Sequence, residues 1–240
     1  MIAMIFAAGL GTRLYPLTKN KPKALAPFAN TTLLEYNLRY LSQFGIDKFI
    51  INTHHFADKI EEYLYDNEYF NLDITVSFEK ELLDTGGGLA KVRELLDEEQ
   101  ILLYNVDVIS NIDINRMNKN HLKHNYDISL STRSRETSRY LLFNEKNKMI
   151  GWKNEKTGEI ITCDKTKDYQ KLAFSGIHII NTKLLPKLGK IEKKSIIDFY
   201  LNVCKEDFIA SYPHDNDYWF DCGNLEKLEK AEKFINSINI

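Results

Sequence analysis

The sequence predicts an α/β fold in which a mixed, mostly parallel central sheet is flanked by helices. Apolar runs of strand length alternate with amphipathic stretches through the first half of the chain, as in βαβ units. These runs are apolar almost throughout, which is typical of parallel strands covered on both faces. The chain has 240 residues, 43% of them hydrophobic and 28% charged, and this balance is sufficient for a full core.

The first half of the chain supplies the alternating elements. Strands are predicted at Ile2–Ala7, Lys48–Asn52, Ile74–Phe78 and Ile101–Tyr104. Helices are predicted at Thr32–Phe44, Lys59–Tyr65 and Gly88–Leu96. In the first of these helices Leu34, Leu38 and Leu41 share one face, and Gly45 follows as a stop signal.

The second half continues with shorter, more polar elements that extend the sheet. Strands are predicted at Ile128–Thr132, Tyr140–Phe143, Met149–Lys153 and Phe174–Ile180, and helices at Ile196–Val203 and Leu225–Ile235. The charged stretch Lys187–Lys194 is predicted to be a solvated loop. The sequence contains no repeat, low-complexity tract or Gly/Ser linker, so we predict a single domain over residues 1–240.

Charge and composition exclude several classes of partner. The net charge is −2 and the pI is about 6.3, so no overall positive field attracts nucleic acid or an anionic membrane. Any phosphate must therefore be held by local groups. The apolar start of the chain, Met1 to Ala8, is too short for a membrane span or signal segment and is interpreted as a buried strand.

The cysteine content favours a reducing, cytoplasmic location. Cys163, Cys204 and Cys222 are odd in number, far apart and without C-x-x-C spacing. This pattern argues against a zinc knuckle and against a disulfide framework.

The strongest motif is the segment from Gly9 to Lys23, directly after the first predicted strand. Its glycines allow backbone N–H groups to approach a phosphate chain, and Arg13 can neutralise that chain together with Lys23. It is not a dinucleotide-binding fingerprint, because Leu14 stands where the third glycine of G-x-G-x-x-G would be. It is not a Walker loop either, because no G-K-[ST] follows.

Three other segments carry candidate residues. The run Asp84–Leu89 contains three consecutive glycines, which allow a flat ligand to lie against bare backbone. Asp107 closes the fourth predicted strand, at the sheet edge where ligands of open α/β folds bind. A second carboxylate, Asp221, lies in Trp-x-Asp-x-Gly before the final helix, and carboxylate oxygens suit Mg²⁺.

The segment Gly9 to Lys23 resembles the signature of the sugar-1-phosphate nucleotidyltransferases, also called nucleotide-sugar pyrophosphorylases, and the resemblance extends to the last helix. It implies a Rossmann-like nucleotidyltransferase domain. In that family the loop wraps the nucleoside triphosphate, the arginine meets the leaving pyrophosphate and the lysine contacts phosphate at the reacting centre. The resemblance assigns the catalytic roles to Arg13 and Lys23. It assigns nucleotide binding to the loop residues Ala8, Gly9, Gly11 and Thr12.

The resemblance also implies the other site residues. Base recognition is assigned to Thr85, Gly86 and Gly87, and sugar-phosphate binding to Asn105, Lys153, Ser175 and Gly176. Asp107 and Asp221 are expected to share one Mg²⁺. The chain departs from the family pattern at Val106, where a glycine is usual, and at Trp152, where an acidic residue is usual.

The implied reaction joins an NTP and a sugar 1-phosphate to give an NDP-sugar and pyrophosphate, a step of nucleotide-sugar biosynthesis that serves the cell envelope. The compact form looks most like the N-acetylmuramate-1-phosphate uridylyltransferases and the mannose-1-phosphate guanylyltransferases, and the uridylyl interpretation is favoured. A phosphocholine cytidylyltransferase and a catalytically silent nucleotide-sugar-binding subunit are the alternatives. We expect a monomer or a small homo-oligomer.

Overall fold

The computed structural model describes residues 1–164 and 168–238. In chain order its strands are β1 (Ile2–Phe6), β2 (Pro27–Phe28), β3 (Thr31–Thr32), β4 (Lys48–Thr53), β5 (Asp73–Phe78), β6 (Gln100–Asn105), β7 (Val108–Ser110), β8 (Ile128–Arg133), β9 (Arg139–Phe143), β10 (Met149–Asn154), β11 (Ile160–Thr162), β12 (Gln170–Asn181), β13 (Ile209–Pro213) and β14 (Trp219–Asp221). Its α-helices are α1 (Leu33–Ser42), α2 (Ala57–Asp66), α3 (Asp84–Val92), α4 (Ile114–Lys123), α5 (Ile196–Val203) and α6 (Leu225–Ile238). The predicted fold class, a mixed central sheet flanked by helices, is confirmed.

The chain divides into two compact units. The first unit contains Met1–Leu82, Tyr104–Asn111 and the chain from Tyr218 onward. The second unit contains Leu83–Leu103 and Ile112–Asp217. Strand β6 begins in the second unit and ends in the first.

The first unit has parallel sheet pairing. Strand β4 pairs with β1 on one side and with β5 on the other, both in parallel. The five residues of β1 are all buried, as the apolar run predicted. Helix α1 begins after Thr32, whose hydroxyl accepts a hydrogen bond from the Glu35 amide at 3.2 Å, and its predicted leucine face is buried.

One core cluster of the first unit lies next to the functional segments. It combines residues from the start, the middle and the end of the chain, namely Leu14, Ala26, Phe28, Leu33, Ile109, Cys222, Leu228, Ala231 and Ile235. Leu14 and Cys222 have no exposed surface, and each directly follows a candidate site residue. Their burial in the packed core fixes the backbone directly after Arg13 and Asp221.

The second unit has mainly antiparallel pairing. Strands β11, β10, β9 and β12 follow one another in that order, each antiparallel to the next. Strand β8 is antiparallel to β12 and parallel to β13. This is the mixed extension that the second half of the sequence predicts.

Helix α4 was not predicted. Its sequence is rich in asparagine, a poor helix former, and has few apolar residues, so the periodic signal of an amphipathic helix is weak. The helix forms because Ile114, Met117 and His121 are buried on one side, and because the Asp113 carboxylate accepts a hydrogen bond from the Arg116 amide at 2.8 Å. Tertiary packing therefore outweighs a poor intrinsic propensity.

The expectation of no disulfide is wrong. Cys163 and Cys204, both in the second unit, are joined by a disulfide with their Cα atoms 6.2 Å apart. The bridge joins the turn after β11 to the end of α5, so the fold rather than the spacing of 41 residues brings the two cysteines together. Cys222 is a buried free thiol in the first unit.

No helix in the described parts of the chain is long and apolar enough to cross a membrane. The predicted loop Lys187–Lys194 is largely exposed, as expected for a charged stretch. Lys187 pairs with Asp207 at 2.7 Å, and Lys194 donates to the carbonyl of Leu188 at 2.7 Å.

Candidate functional site

The loop after β1 is built around Gly11. This residue has φ of +66°, in the left-handed region that favours glycine. Its carbonyl accepts hydrogen bonds from the Thr18 hydroxyl and from the Leu14 amide, both at 2.9 Å. A Cβ at Gly11 would lie 3.0 Å from the Cβ of Lys23, so the glycine also allows the two ends of the loop to approach.

The residues at the outer side of this loop are accessible. Gly9, Thr12 and Arg13 are exposed, whereas Ala8 is buried at the end of the strand. Gly9 and Thr12 are therefore accessible to a phosphate chain, the ligand that the sequence predicts for them.

Lys23 and Asp107 form the first ion pair of the site. The Lys23 ammonium donates to Asp107 Oδ2, and both side chains are largely buried. Lys23 begins a 3-10 turn after Pro22, and Asp107 lies in the two-residue connection between β6 and β7. The fold thus unites two predicted residues that are 84 positions apart in sequence.

Asp221 and Arg13 meet beside Gly223. The Gly223 amide donates to Asp221 Oδ1 at 3.0 Å. A Cβ at Gly223 would lie 2.7 Å from Asp221 Oδ1 and 3.2 Å from Arg13 Nη2. Only a residue without a side chain allows the carboxylate and the guanidinium to approach this backbone together, which explains the glycine of the Trp-x-Asp-x-Gly motif.

Lys227 is a site residue that the sequence interpretation missed. Its ammonium donates to Asp221 Oδ2 at 2.8 Å. The Asn224 side chain accepts a hydrogen bond from the Lys227 amide at 3.0 Å and so caps the start of α6. That capping pattern was the available signal, because it places the lysine in the first turn of a helix that begins beside Asp221.

The cations keep Asp221 ionised. Burial by itself would raise the pKa of Asp221, but the hydrogen bond from Lys227 and the charges of Lys227, Lys23 and Arg13 hold that pKa below its ordinary value. The carboxylate is therefore fully charged at neutral pH.

Buried backbone contacts join the two acidic segments. The Cys222 amide donates to the carbonyl of Asp107 at 2.7 Å. The neighbouring Val106 donates to the carbonyl of Phe6 at 3.3 Å and accepts from the side chain of Asn37 at 2.9 Å. Val106 is only 3% exposed, so this departure from the family's glycine places an apolar side chain in the core.

A second buried amide fixes the start of the loop. Asn52 Oδ1 accepts from the Ala7 amide at 2.8 Å, and its Nδ2 donates to Glu79 Oε1 at 2.7 Å. Asn52 and Glu79 are 2% and 1% exposed. The amide takes the place of a strand partner where β1 ends, so it determines where the loop begins.

Five charged side chains therefore cluster in the first unit. Arg13, Lys23 and Lys227 bring three positive charges, and Asp107 and Asp221 bring two negative ones, which leaves a net charge of +1 (3 − 2). Such a cluster suits a polyanionic ligand. In residues 1–164 and 168–238 no group of three or more His, Cys, Asp or Glu side chains is placed to hold a metal.

The predicted base-binding residues lie in the second unit. Thr85, Gly86 and Gly87 belong to the first turn of α3 rather than to a loop before it. The amides of Gly86 and Gly87 donate to the carbonyl of Lys194 at 3.0 and 3.2 Å. A Cβ at Gly86 would lie 2.8 Å from the carbonyl oxygen of Ser195, so these glycines allow close backbone packing.

The predicted sugar-phosphate residues are divided between the units. Asn105 is half-buried at the end of β6, in the first unit with Asp107. In the second unit, the buried Ser175 bonds through its hydroxyl to His214 Nε2 at 2.8 Å, and Gly176 has φ of +78°. Lys153 pairs with Glu155 at 3.0 Å.

Comparison with known proteins gives one family match over almost the whole chain. The model of the family described as nucleotidyl transferase matches residues 2–238. The D-glycero-alpha-D-manno-heptose 1-phosphate guanylyltransferase of Aneurinibacillus thermoaerophilus is 29% identical, over 97% of both chains. The N-acetylmuramate alpha-1-phosphate uridylyltransferase of Caulobacter vibrioides is 40% identical, over 45% of this chain and 46% of its own length.

Solved structures show the same fold. HddC from Yersinia pseudotuberculosis, complexed with GMP-PN, has a TM-score of 0.77 at 20% identity and covers 97% of this chain and 99% of its own. A putative glucose-1-phosphate thymidylyltransferase from Bacillus anthracis has a TM-score of 0.83 at 18% identity and covers 100% of this chain and 97% of its own. The Rossmann-like fold implied by the sequence is confirmed.

Proposed function

The chain belongs to the nucleotidyl transferase family, and we propose that it transfers a nucleoside monophosphate from an NTP to a sugar 1-phosphate, with release of pyrophosphate. The observation that carries this proposal is the cluster formed by Arg13, Lys23, Asp107 and Asp221 in one compact unit. These residues come from three distant segments, and each has the charge that the family's chemistry requires.

The chemistry needs no general base on the protein. A phosphate monoester has a second pKa of about 6, so a sugar 1-phosphate is mostly dianionic at neutral pH and is already a nucleophile. Its oxygen forms a bond to the α-phosphorus of the NTP, the bond from that phosphorus to the bridging oxygen breaks, and pyrophosphate leaves with the electron pair. What remains for the protein is to position the two anions and to stabilise the developing charge.

Two cations of the cluster, Arg13 and Lys23, have roles in that transfer. Arg13, exposed at the tip of the first loop, stabilises the leaving pyrophosphate through its guanidinium. Lys23, held against Asp107, is placed to stabilise the transferring phosphoryl group. The exposed backbone of Gly9 and Thr12 lies along the triphosphate, with Ala8 and Gly11 fixing the loop.

Asp107 and Asp221 have the donor chemistry that Mg²⁺ prefers, because both offer carboxylate oxygens, and neighbouring cations keep Asp221 ionised. We propose that they hold one Mg²⁺ together with phosphate oxygens of the substrates, since Mg²⁺ completes its coordination with substrate and water. The ion would supply charge neutralisation between the two substrates.

The proposal extends to the base of the NTP and to the residues that bind the base and the sugar phosphate. The sequence interpretation favours UTP, and the relative from Caulobacter vibrioides is a uridylyltransferase. GTP is the second candidate, because the guanylyltransferase from Aneurinibacillus thermoaerophilus aligns with this chain over 97% of both lengths. Base recognition by Thr85, Gly86 and Gly87 and sugar-phosphate binding by Asn105, Lys153, Ser175 and Gly176 belong to the same proposal.

The test is pyrophosphate release with Mg²⁺ from a matrix of NTPs and acceptors. The acceptors are N-acetylmuramate, glucosamine, glucose, mannose and heptose 1-phosphates, with phosphocholine as an acceptor outside the sugar class. We expect one productive pair containing UTP or GTP and a sugar 1-phosphate. Turnover with phosphocholine alone would contradict the sugar assignment, and NTP binding without turnover on any acceptor would favour the silent-subunit alternative.

A further inference from the structure

Lys227 lies at the site but has no part in the mechanism above. Its ammonium is 2.8 Å from Asp221 Oδ2, and about half of its side chain is exposed. Lys23 has the same relation to Asp107 in a more buried setting. Each carboxylate of the site therefore has one lysine on its Oδ2 atom.

The two pairs differ in the mobility that their surroundings allow. The Lys23 side chain is 12% exposed, whereas that of Lys227 is 51% exposed. An exposed lysine has a long, rotatable stem and a strongly hydrated head, so it can exchange one anionic partner for another at small cost. The backbone of Lys227, by contrast, is fixed in the capped first turn of α6.

We propose that Lys227 is a third phosphate-binding cation of this site and that it competes with the divalent cation for Asp221. The inference rests on the proposed function. Without substrate, Lys227 neutralises Asp221. When the NTP and its divalent cation bind, the ammonium leaves the carboxylate and binds a phosphate oxygen.

The charges of the site favour this exchange. The cluster has a net charge of only +1, whereas an NTP and a sugar 1-phosphate together carry several negative charges. An ammonium that remained on Asp221 would block one carboxylate oxygen and leave phosphate charge without a partner. Moving to phosphate makes that oxygen available and adds a charge-assisted hydrogen bond to the ligand.

The exchange predicts two effects of opposite direction in Lys227→Met. Binding of Mn²⁺ alone to the nucleotide-free protein, measured by electron paramagnetic resonance, is expected to become about two- to fivefold tighter, because its competitor is gone. The KM for the NTP is expected to rise about tenfold, because a charged contact to phosphate is lost, with a smaller change in kcat. Lys227→Arg is expected to restore most of the NTP affinity.

Lys230→Met is the matched control. Lys230 is exposed and lies one turn further along α6. Its substitution is expected to leave Mn²⁺ binding and the KM for the NTP at wild-type values. Thermal unfolding of all three variants shows that they are folded. A purely structural role of Lys227 predicts an unchanged KM for the NTP, and this result or an unchanged Mn²⁺ affinity would overturn the proposal.

The experiment separates failure of this inference from failure of the proposed function. If no NTP and acceptor pair releases pyrophosphate, the proposed function is wrong. The Mn²⁺ titration, together with direct calorimetric titration of NTP into wild-type and Lys227→Met protein, still decides whether Lys227 competes for Asp221 and binds phosphate. Unchanged binding in both titrations would overturn the role of Lys227 whatever the enzyme assay shows.

Discussion

The two compact units use their polar side chains in different ways. In the first unit Lys23–Asp107 and Lys227–Asp221 are ion pairs between charged side chains. In the second unit the buried polar groups are mainly neutral and satisfy one another. Its buried histidines hydrogen-bond to hydroxyl groups of the same unit, as His178 does with Tyr200.

This difference indicates that polar groups serve the chemistry in the first unit and stability in the second. Breaking a buried hydrogen bond between neutral groups is costly, because it leaves an unsatisfied polar group in an apolar environment. An ion pair at an accessible loop is replaced at low cost by another ion pair. We therefore expect substitutions in the first unit's cluster to affect turnover, and substitutions of the second unit's pairs to affect unfolding.

The largest effect is expected for Asp107→Asn and Arg13→Ala. Each removes a charge that acts on the reacting phosphates, and we expect kcat/KM to fall on the order of a hundredfold or more, as for other preorganised charged groups. The thermal midpoint should change little in Arg13→Ala, whereas Asp107→Asn should lower it, because it leaves the buried Lys23 ammonium without its charged partner. Pyrophosphate release and thermal unfolding check both statements, with the exposed Asp66→Asn in the same unit as control. Near-wild-type turnover in either variant would remove that residue from the site.

Loss of the disulfide of the second unit is expected to lower stability and to leave turnover unchanged. Replacing Cys163 and Cys204 by alanine removes a covalent constraint on the unfolded chain, and the free energy of unfolding should fall by about 2–4 kcal/mol. Turnover per folded molecule should remain that of the wild type. Chemical denaturation with and without reductant measures the first effect. A loss of turnover at full folding would show that the division between the two units is wrong.

The smallest effect is expected for substitution of His214, which should change how the free energy of unfolding depends on pH. Burial and the nearby Arg133 and Arg135 lower the pKa of His214 from 6.5 to about 4, against the opposing charge of Asp215. Between these values the unfolded chain binds a proton that the folded protein does not. The contribution of His214 to stability is therefore complete above pH 6.5 and is lost as the pH falls towards 4.

Between pH 7 and pH 5 this loss amounts to about 2 kcal/mol. Denaturant titrations at the two pH values should show that His214→Gln loses about 2 kcal/mol less than the wild type over this interval. His178, whose pKa burial lowers to about 3, contributes equally to both proteins and cancels in the comparison. Equal losses in wild type and variant would contradict the assignment.

The sequence was sufficient for much of the fold, because local patterns determine it. The apolar runs located β1, β4, β5 and β6, and the leucine spacing located α1, with ends displaced by a few residues. Helix α4 and the disulfide depend on contacts between distant segments, and no local pattern contains that information.

The same reasoning applies to the site. Arg13, Lys23, Asp107 and Asp221 were predicted from motifs, and the structure brings them together. Lys227, Asn37 and Asn52 were missed because their roles depend on partners 6, 69 and 45 positions away in sequence. Asn37 and Asn52 are distinguished only by their tertiary contacts, whereas the capping pattern at Asn224 was a local signal for Lys227.

The buried thiol of Cys222 provides a probe of local opening at the first unit's site. Burial and the charges of Asp107 and Asp221 raise the pKa of this thiol to about 12, so it is inert while the site is closed. With Cys163 and Cys204 joined, an alkylating reagent can modify Cys222 only during local opening. The rate of labelling therefore measures how often local opening exposes Cys222, and a ligand that stabilises the Asp107 and Asp221 segments is expected to lower that rate.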